Sequence, residues 1–147
     1  MPLATAVPIL SAGFLPLFDP GQASTEEAAG VWADAYLAYA LNAVNATVIP
    51  ARRNTLAADL TIAFDPESNG GGRSPFLLAL AGFWLGTPGI PTGVVAIFIP
   101  SGSIDSNPGN DATPQQQADA IADLIHQLTV NSAKIIPVPP GPPIPVA

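Results

Sequence analysis

The side chains best suited to chemistry lie on one predicted helix near the end of the chain. Asp119, Asp123 and His126 follow one another at i, i+4 and i+7, so two carboxylates and an imidazole share one helical face. This is the one place in the sequence where a carboxylate–histidine metal cluster is conceivable. The sequence offers no further ligand at a suitable spacing, so we interpret the three as a solvated face. His126 would then lie close to the helix C-terminus, where its cationic form is favoured.

Signatures of catalysis are otherwise missing from the sequence. The chain has no cysteine and one histidine, and no serine stands in a Gly-x-Ser-x-Gly pattern. The glycines at 70–72 have neither a preceding strand nor a following Lys-Ser/Thr pair, which a phosphate-binding loop requires; they indicate a flexible loop. We therefore expect no enzyme activity, no catalytic residue, no metal and no cofactor.

The charge balance excludes one class of partner. The chain has a net charge of −7 and four basic residues, whereas binding to nucleic acid requires clustered Lys and Arg. Arg52 and Arg53 are the only adjacent pair, and we expect them to lie at a helix start and to pair with nearby carboxylates. No run of 18 apolar residues occurs, so no membrane partner is expected.

Low charge also predicts how the surface is covered. Charged residues make up 10% and hydrophobic residues 48% of the 147 residues, against about 25% charged in an ordinary soluble domain. Either Thr, Asn, Ser and Gln cover the surface, or other chains cover much of it.

Four helices are predicted from their start signals. Each begins with a hydroxyl side chain that can cap the helix, a proline that suits its first position, or both. The predicted helices run from Ser24 to about Asn45, from Pro50 to Asp65, from Ser74 to Leu85, and onward from Thr113. On the first of them, small Ala residues between the aromatic ones would let another helix approach closely.

The chain is expected to fold around the third of these helices. No ionisable side chain occurs from 74 to 104, and the helix is apolar on every face, which predicts burial all round. The β-rich run 94–99 predicts a buried strand, and 133–136 a short strand that pairs with it. The expected fold is mainly α, with about four helices in a small orthogonal bundle and one short two-stranded β element.

Both ends of the chain are predicted to be arms. Prolines at 2, 8, 16 and 20 argue against a long helix, so residues 1–22 are expected to form an extended apolar N-terminal arm, which packs across its own domain or docks on a neighbouring chain. Residues 23–136 would form a single α-rich domain. Six of the nine residues from 137 to 145 are proline, so 137–147 should be a polyproline II arm that leaves the domain and lies against a different chain.

Large apolar side chains in these elements are the candidate interface residues. They come from both arms, from the first and third helices and from the last strand. The set is Phe14, Leu15, Phe18, Trp32, Tyr36, Tyr39, Phe83, Trp84, Ile136, Val138 and Ile144.

The order of several motifs along the chain resembles that in a known class of proteins. A helix with Trp-Ala-Asp-Ala-Tyr at 32–36 is followed by a second short helix, a Phe-Trp-Leu-Gly block at 83–86, and a closing helix that passes through Leu-Thr-Val at 128–130 into an Ile/Val strand and a proline-rich end. From about 25 to 140, this order resembles small Ala/Leu/Pro-rich structural proteins of tailed bacteriophage virions. The resemblance implies a virion component without catalytic residues.

Two functions are therefore expected from the sequence. The first is a non-enzymatic structural subunit of a virion, in the neck, the tail or baseplate, or as a capsid accessory, with other virion proteins and copies of itself as partners. The alternative is a secreted or surface-associated module that binds a protein through its proline-rich tail. A subunit should purify with particles in fixed copy number, whereas a binding module should be a monomer.

Overall fold

The computed structural model describes residues 2–65, 73–100, 109 and 111–147, and confirms a mainly α fold. In these ranges five α-helices and three short strands alternate with turns and 3-10 segments. The helices are α1 Val7–Phe14, α2 Thr25–Ala40, α3 Arg52–Phe64, α4 Arg73–Trp84 and α5 Pro114–Ser132; the strands are β1 Val94–Phe98, β2 Ala133–Ile136 and β3 Ile144–Pro145. The loop predicted at the glycines 70–72 lies outside the described residues.

The predicted starts of α2 and α5 are confirmed by their hydrogen bonds, whereas α3 begins at Arg52, two residues after Pro50, and α4 at Arg73, one residue before Ser74. At α2, Ser24 Oγ accepts from the backbone N–H of Glu27 (3.1 Å), and the Glu27 carboxylate accepts from the backbone N–H of Ala23 (3.1 Å). At α5, Thr113 and Gln116 form a complete capping box. These bonds satisfy backbone donors that have no partner within the helix.

Helix α2 ends at Ala40, five residues earlier than predicted. Asn42 Nδ2 donates to the carbonyl oxygens of Ala38 (2.9 Å) and Tyr39 (3.4 Å). A side chain that bonds to the preceding turn in this way competes with the helical backbone pattern. The residues after Ala40 therefore continue as a turn.

The prediction of an extended N-terminal arm is wrong. Residues Leu3–Ala6 and Leu15–Leu17 form 3-10 helices on either side of α1. Pro8 lies at the start of α1 and Pro16 at the start of the second 3-10 segment, where a missing backbone N–H removes no helical hydrogen bond. Leu3, Leu10 and Phe14 are fully buried. The N-terminal residues therefore belong to the domain core.

Strands β1 and β2 pair as predicted, the structure shows them antiparallel, and a third strand joins them. Val94 lies opposite Ile136 and Phe98 opposite Ala133, with a register shift between Val95 and Ile97. Strand β3 pairs with the other side of β2. Its Pro145 lies on a strand at the edge of the sheet, the position in which proline is tolerated.

The prediction that residues 137–147 leave the domain is also wrong. Val146 is buried, and its backbone N–H donates to the carbonyl oxygen of Ala133 (3.1 Å). The carbonyl oxygen of Ala147 accepts from the backbone N–H of Val44 (2.8 Å). The end of the chain thus packs on its own domain.

Helix α4 supplies the centre of the core, although it is not buried all round. Leu80, Phe83 and Trp84 are buried, whereas Leu78 is 71% exposed. The predicted burial of every face is therefore wrong for one side of the helix. Helix α3 packs on α4 and on α2, and α1 packs on α2 and α5.

Candidate functional site

A hydrogen-bonded group of aromatic side chains occupies the middle of the core. Trp84 Nε1 donates to Tyr36 Oη (2.7 Å), and Tyr36 Oη lies 2.6 Å from Thr129 Oγ1. All three side chains are buried, so each polar atom has a partner where water has no access. Burial raises the pKa of Tyr36 to about 12, although both hydrogen bonds oppose the shift. This group is neutral and enclosed, and it stabilises the fold.

His126 belongs to the same interior and not to a solvated face, so the sequence prediction for it is wrong. Its Nδ1 lies 2.6 Å from Tyr39 Oη, and the side chain is only 8% exposed. Burial lowers the pKa of His126, an effect that the nearby Asp123 carboxylate opposes. Burial also raises the pKa of Tyr39. The neutral imidazole is therefore the form that the fold favours.

Mild acid is expected to destabilise the protein through His126. The unfolded chain binds this proton near pH 6.5, about the ordinary histidine pKa, whereas the folded protein binds it only at lower pH. As the pH falls below about 6.5, the unfolded state holds the extra proton and the free energy of unfolding decreases, by at most about 1.4 kcal/mol per pH unit. Urea denaturation between about pH 7.5 and 5.5 measures this loss.

His126→Gln is the control, because glutamine keeps a polar partner for Tyr39 without titrating. The free energy of unfolding of this variant should be nearly constant over the same range. An equal slope in the wild type and the variant would show that other groups cause the pH dependence.

Asp119, the first carboxylate on the helical face that includes His126, has hydrogen-bond partners other than His126. Asp119 accepts hydrogen bonds from the hydroxyl of buried Ser11, on α1, and from Gln115 Nε2 (2.9 Å). These two bonds, that of Ser11 first, lower the pKa of Asp119. No group of three or more His, Asp or Glu side chains in the described ranges is arranged to hold a metal ion. Asp119 thus links α5 to α1.

The paired arginines at the start of α3 have separate structural roles. Arg53 Nε lies 2.6 Å from Asp34 Oδ1, as predicted, and such exposed pairs contribute about 0.2–1 kcal/mol. Arg52 Nη1 instead donates to the carbonyl oxygens of Phe83 (3.0 Å) and Leu85 (2.6 Å). Arg52 therefore binds the C-terminal end of α4, where a cation is favoured.

Six of the eleven predicted interface residues lie in the chain's own core, so the interface prediction is wrong for them. Leu15, Phe18 and Ile136 are half-buried, while Val138 is 65% and Ile144 44% exposed. The six in the core are Phe14, Trp32, Tyr36, Tyr39, Phe83 and Trp84, each 0–4% exposed. Of the predicted set, Val138 and Ile144 are the most accessible to another chain.

Exposed apolar side chains concentrate on three segments that hydrogen bonds join. The backbone N–H of Ile90 donates to the carbonyl oxygen of Asn45 (2.9 Å), and Asn45 Nδ2 donates to that of Pro145 (2.8 Å). The first of these segments follows the C-terminal end of α2 in the chain, and the hydrogen bonds place the other two beside it. We name the exposed large apolar residues on them the apolar end: Leu41, Val44, Ile90, Val94, Val138 and Ile144, each 38–65% exposed.

The sequence analysis missed four members of the apolar end. Leu41 and Val44 fall within the helix predicted to run to about Asn45, and Val94 within the run 94–99 that predicts a buried strand. The uncharged stretch from 74 to 104 includes Ile90 and Val94, but a lack of charge does not separate exposed from buried apolar residues.

Residues 137–143, the proline loop, project between β2 and β3. Every residue from 138 to 145 is exposed. Thr92 Oγ1 donates to the carbonyl oxygen of Val138 (3.0 Å), and the β2–β3 pairing of Lys134 with Pro145 fixes the base of the loop. The loop is thus an uncharged segment held at both ends.

An apolar concavity of about 770 Å³ lies at the opposite end of α2. Its wall is aromatic, with the rings of Trp32 and Phe76 edge to face at 5.5 Å and those of Phe64 and Phe76 stacked at 6.5 Å. We name it the aromatic groove; it is also lined by Leu17, Phe18, Gln22, Ala23, Ser24, Thr25, Ala28, Ala63, Ile121, Leu124 and Ile125.

Charge distinguishes the aromatic groove from two smaller concavities. Its lining, among the described residues, contains no charged side chain. A concavity of about 460 Å³ includes Asp119 and Asp123 in its lining, and one of about 630 Å³ includes Glu26 and Glu27. The aromatic groove is therefore suited to an uncharged, apolar occupant.

Comparisons of the chain with protein-family models, with curated proteins and with solved structures found no match. Among the described helices, none has both the length and the apolar character needed to cross a membrane.

Proposed function

We propose that this protein is a non-enzymatic structural subunit of a bacteriophage virion, in the neck, the tail or baseplate, or as a capsid accessory. The observation that supports assembly is the apolar end, where six exposed large apolar side chains lie on hydrogen-bonded segments. Concentrated exposed apolar residues are typical of surfaces that bind other proteins. The assignment to a virion rests on the sequence resemblance between residues 25 and 140.

The apolar end favours contact with neutral surfaces. The described residues from 135 to 147 carry no charged side chain, although the whole chain has a net charge of −7. Two acidic copies repel each other over most of their surfaces. This repulsion is weakest between uncharged regions. Burial of apolar surface there contributes about 25 cal/mol in favour of association for each Å² buried.

Charged substitutions in the apolar end are expected to weaken assembly without unfolding the domain. Leu41→Glu combined with Ile90→Glu places two carboxylates where the wild-type side chains are 53% and 51% exposed. The mass measured by light scattering after gel filtration should fall toward that of the protomer, and the amount recovered with purified particles should decrease. Circular dichroism should remain close to that of the wild type.

Leu78→Glu is the matched control, because Leu78 is 71% exposed and lies on α4, outside the apolar end. It should assemble as the wild type does. Quantitative mass spectrometry of purified particles should find the wild-type protein in a fixed ratio to the other structural proteins. A wild-type protein that stays monomeric at all concentrations and is absent from particles would contradict the proposal.

The second candidate function is a secreted or surface-associated protein-binding module. It is favoured by the exposure of the proline loop, since proline-rich segments bind aromatic-lined grooves of other proteins. A well-behaved monomer that binds a host or cell-surface protein through residues 137–143 would support this function over the first.

A further inference from the structure

The proline loop and the aromatic groove of this chain have complementary chemistry. The loop is uncharged, exposed and rich in proline, and proline lowers the conformational entropy that a segment loses when it binds. The groove is lined by half-buried Phe64 and by Trp32 and Phe76, which are 4% and 9% exposed, with Gln22 and Ser24 among its polar lining. Grooves that combine aromatic rings with a few hydrogen-bonding side chains are typical receptors for proline-rich segments.

The two surfaces lie at opposite ends of α2 in one copy. The groove borders the N-terminal part of α2, at Ala28 and Trp32, whereas the proline loop is tied to Asn45 beyond the C-terminal end of that helix. The pairing of β2 with β3 and the hydrogen bond from Thr92 hold the loop at that end.

We propose that the proline loop of one copy binds in the aromatic groove of a second copy. Among the described residues, neither surface has a charged side chain, although the chain has a net charge of −7, so the contact avoids the repulsion between acidic copies. The contact is head-to-tail, because each copy uses a different surface. Repetition of it generates a closed ring or an open helical array. The inference rests on the proposed structural function and specifies the contact between subunits.

Cross-linking between two different variants tests the contact directly. The natural chain has no cysteine, so a disulfide forms only between introduced thiols. A copy with Val138→Cys, in the loop, is mixed with a copy with Gln22→Cys, in the groove, under mild oxidation. A disulfide-linked dimer of the two variants is expected on a non-reducing gel. A mixture of Val138→Cys with Leu78→Cys is the control, because Leu78 is more exposed than Val138 but does not line the groove; it should give at least about tenfold less dimer.

Complementation between two assembly-defective variants provides an independent measurement. Val138→Asp puts a carboxylate into the loop, and Ala28→Gln fills part of the groove with a residue that suits a helix. Each variant alone should be monomeric, with an apparent Kd raised at least about tenfold, which is about 1.4 kcal/mol, because Val138→Asp would bury an unpaired carboxylate and Ala28→Gln occupies space that the loop would fill. Mixed together, they should form a dimer, because one retains an intact groove and the other an intact loop.

The outcomes separate this inference from the proposed function. If the wild type assembles but the 138–22 cross-link is absent and mixing fails to restore a dimer, the inference is wrong and the structural function stands. If the wild type is monomeric and absent from particles, the structural function itself is wrong. Unchanged assembly of Val138→Asp would likewise overturn the inference.

Discussion

Replacement of Trp84 by alanine is expected to lower the free energy of unfolding by about 3–5 kcal/mol. Trp84 is fully buried on the helix that supplies the centre of the core, so truncation leaves a cavity that the surrounding helices cannot fill. It also removes the Nε1–H that donates to Tyr36 Oη. Urea denaturation followed by circular dichroism measures the change. A loss below about 1 kcal/mol would show that the indole is not enclosed.

Trp84→Phe removes the hydrogen bond to Tyr36 but keeps most of the side-chain volume, so it distinguishes the effects of the two. Phenylalanine keeps an aromatic ring next to Phe83 but has no donor for Tyr36, whose hydroxyl still has Thr129 as a partner. We expect this variant to lose about 1–3 kcal/mol, from the missing bond and a smaller cavity. If Trp84→Phe lost as much as Trp84→Ala, the hydrogen bond and not the packing would dominate at this site.

The starts of α2 and α5 were predictable because their signals are local. Ser24 with Glu27, and Thr113 with Gln116, form their hydrogen bonds within four residues of sequence, so no knowledge of the tertiary structure is needed. The pairing of β1 with β2 followed from two β-rich runs in a chain with few others. These elements account for most of the fold.

The N-terminal helix was missed because the number of prolines was considered and their positions were not. Pro8 and Pro16 each lie at the start of a short helical segment, where the fixed φ of proline suits the helix. The number of prolines predicts a segment without helix. The spacing of eight residues between Pro8 and Pro16, however, leaves room for two turns of helix. The same spacing argument would have placed Leu10 and Phe14 on one face.

His126 was misassigned because a helical face can be solvated at one end and buried at the other. Asp119 and Asp123 are exposed, but His126 lies one turn further along, where α5 meets Tyr39 of α2. The hydrophobic pattern of α5 alone does not contain this information, because it depends on where α2 crosses.

The candidate interface was the least predictable part of the chain. Protein cores and protein interfaces bury the same residue types, so Trp32, Tyr36 and Trp84 fitted either assignment. Only the fold shows that they are enclosed. The surfaces that remain available, the apolar end and the aromatic groove, are each assembled from segments distant in sequence.

Gly13→Ala is expected to destabilise the protein, although alanine is the better helix former. A Cβ added at Gly13, in α1, would overlap with Cβ of Ala35, in α2, far inside van der Waals contact. Neither atom can rotate away, so the two helices must separate. Overpacking of this kind costs about 1–3 kcal/mol, which exceeds the gain of up to about 1 kcal/mol from helix propensity.

Gly82→Ala is the matched control for this close approach of helices. Gly82 also lies in the last turn of a helix, α4, but a Cβ there meets no atom within 4 Å. The propensity gain is then unopposed, and the free energy of unfolding should rise by up to about 1 kcal/mol. Urea denaturation of both variants gives the comparison, and the two changes should have opposite signs. If Gly13→Ala also stabilised the protein, α1 would not pack against α2 this closely, and residues 3–17 would not be part of the core.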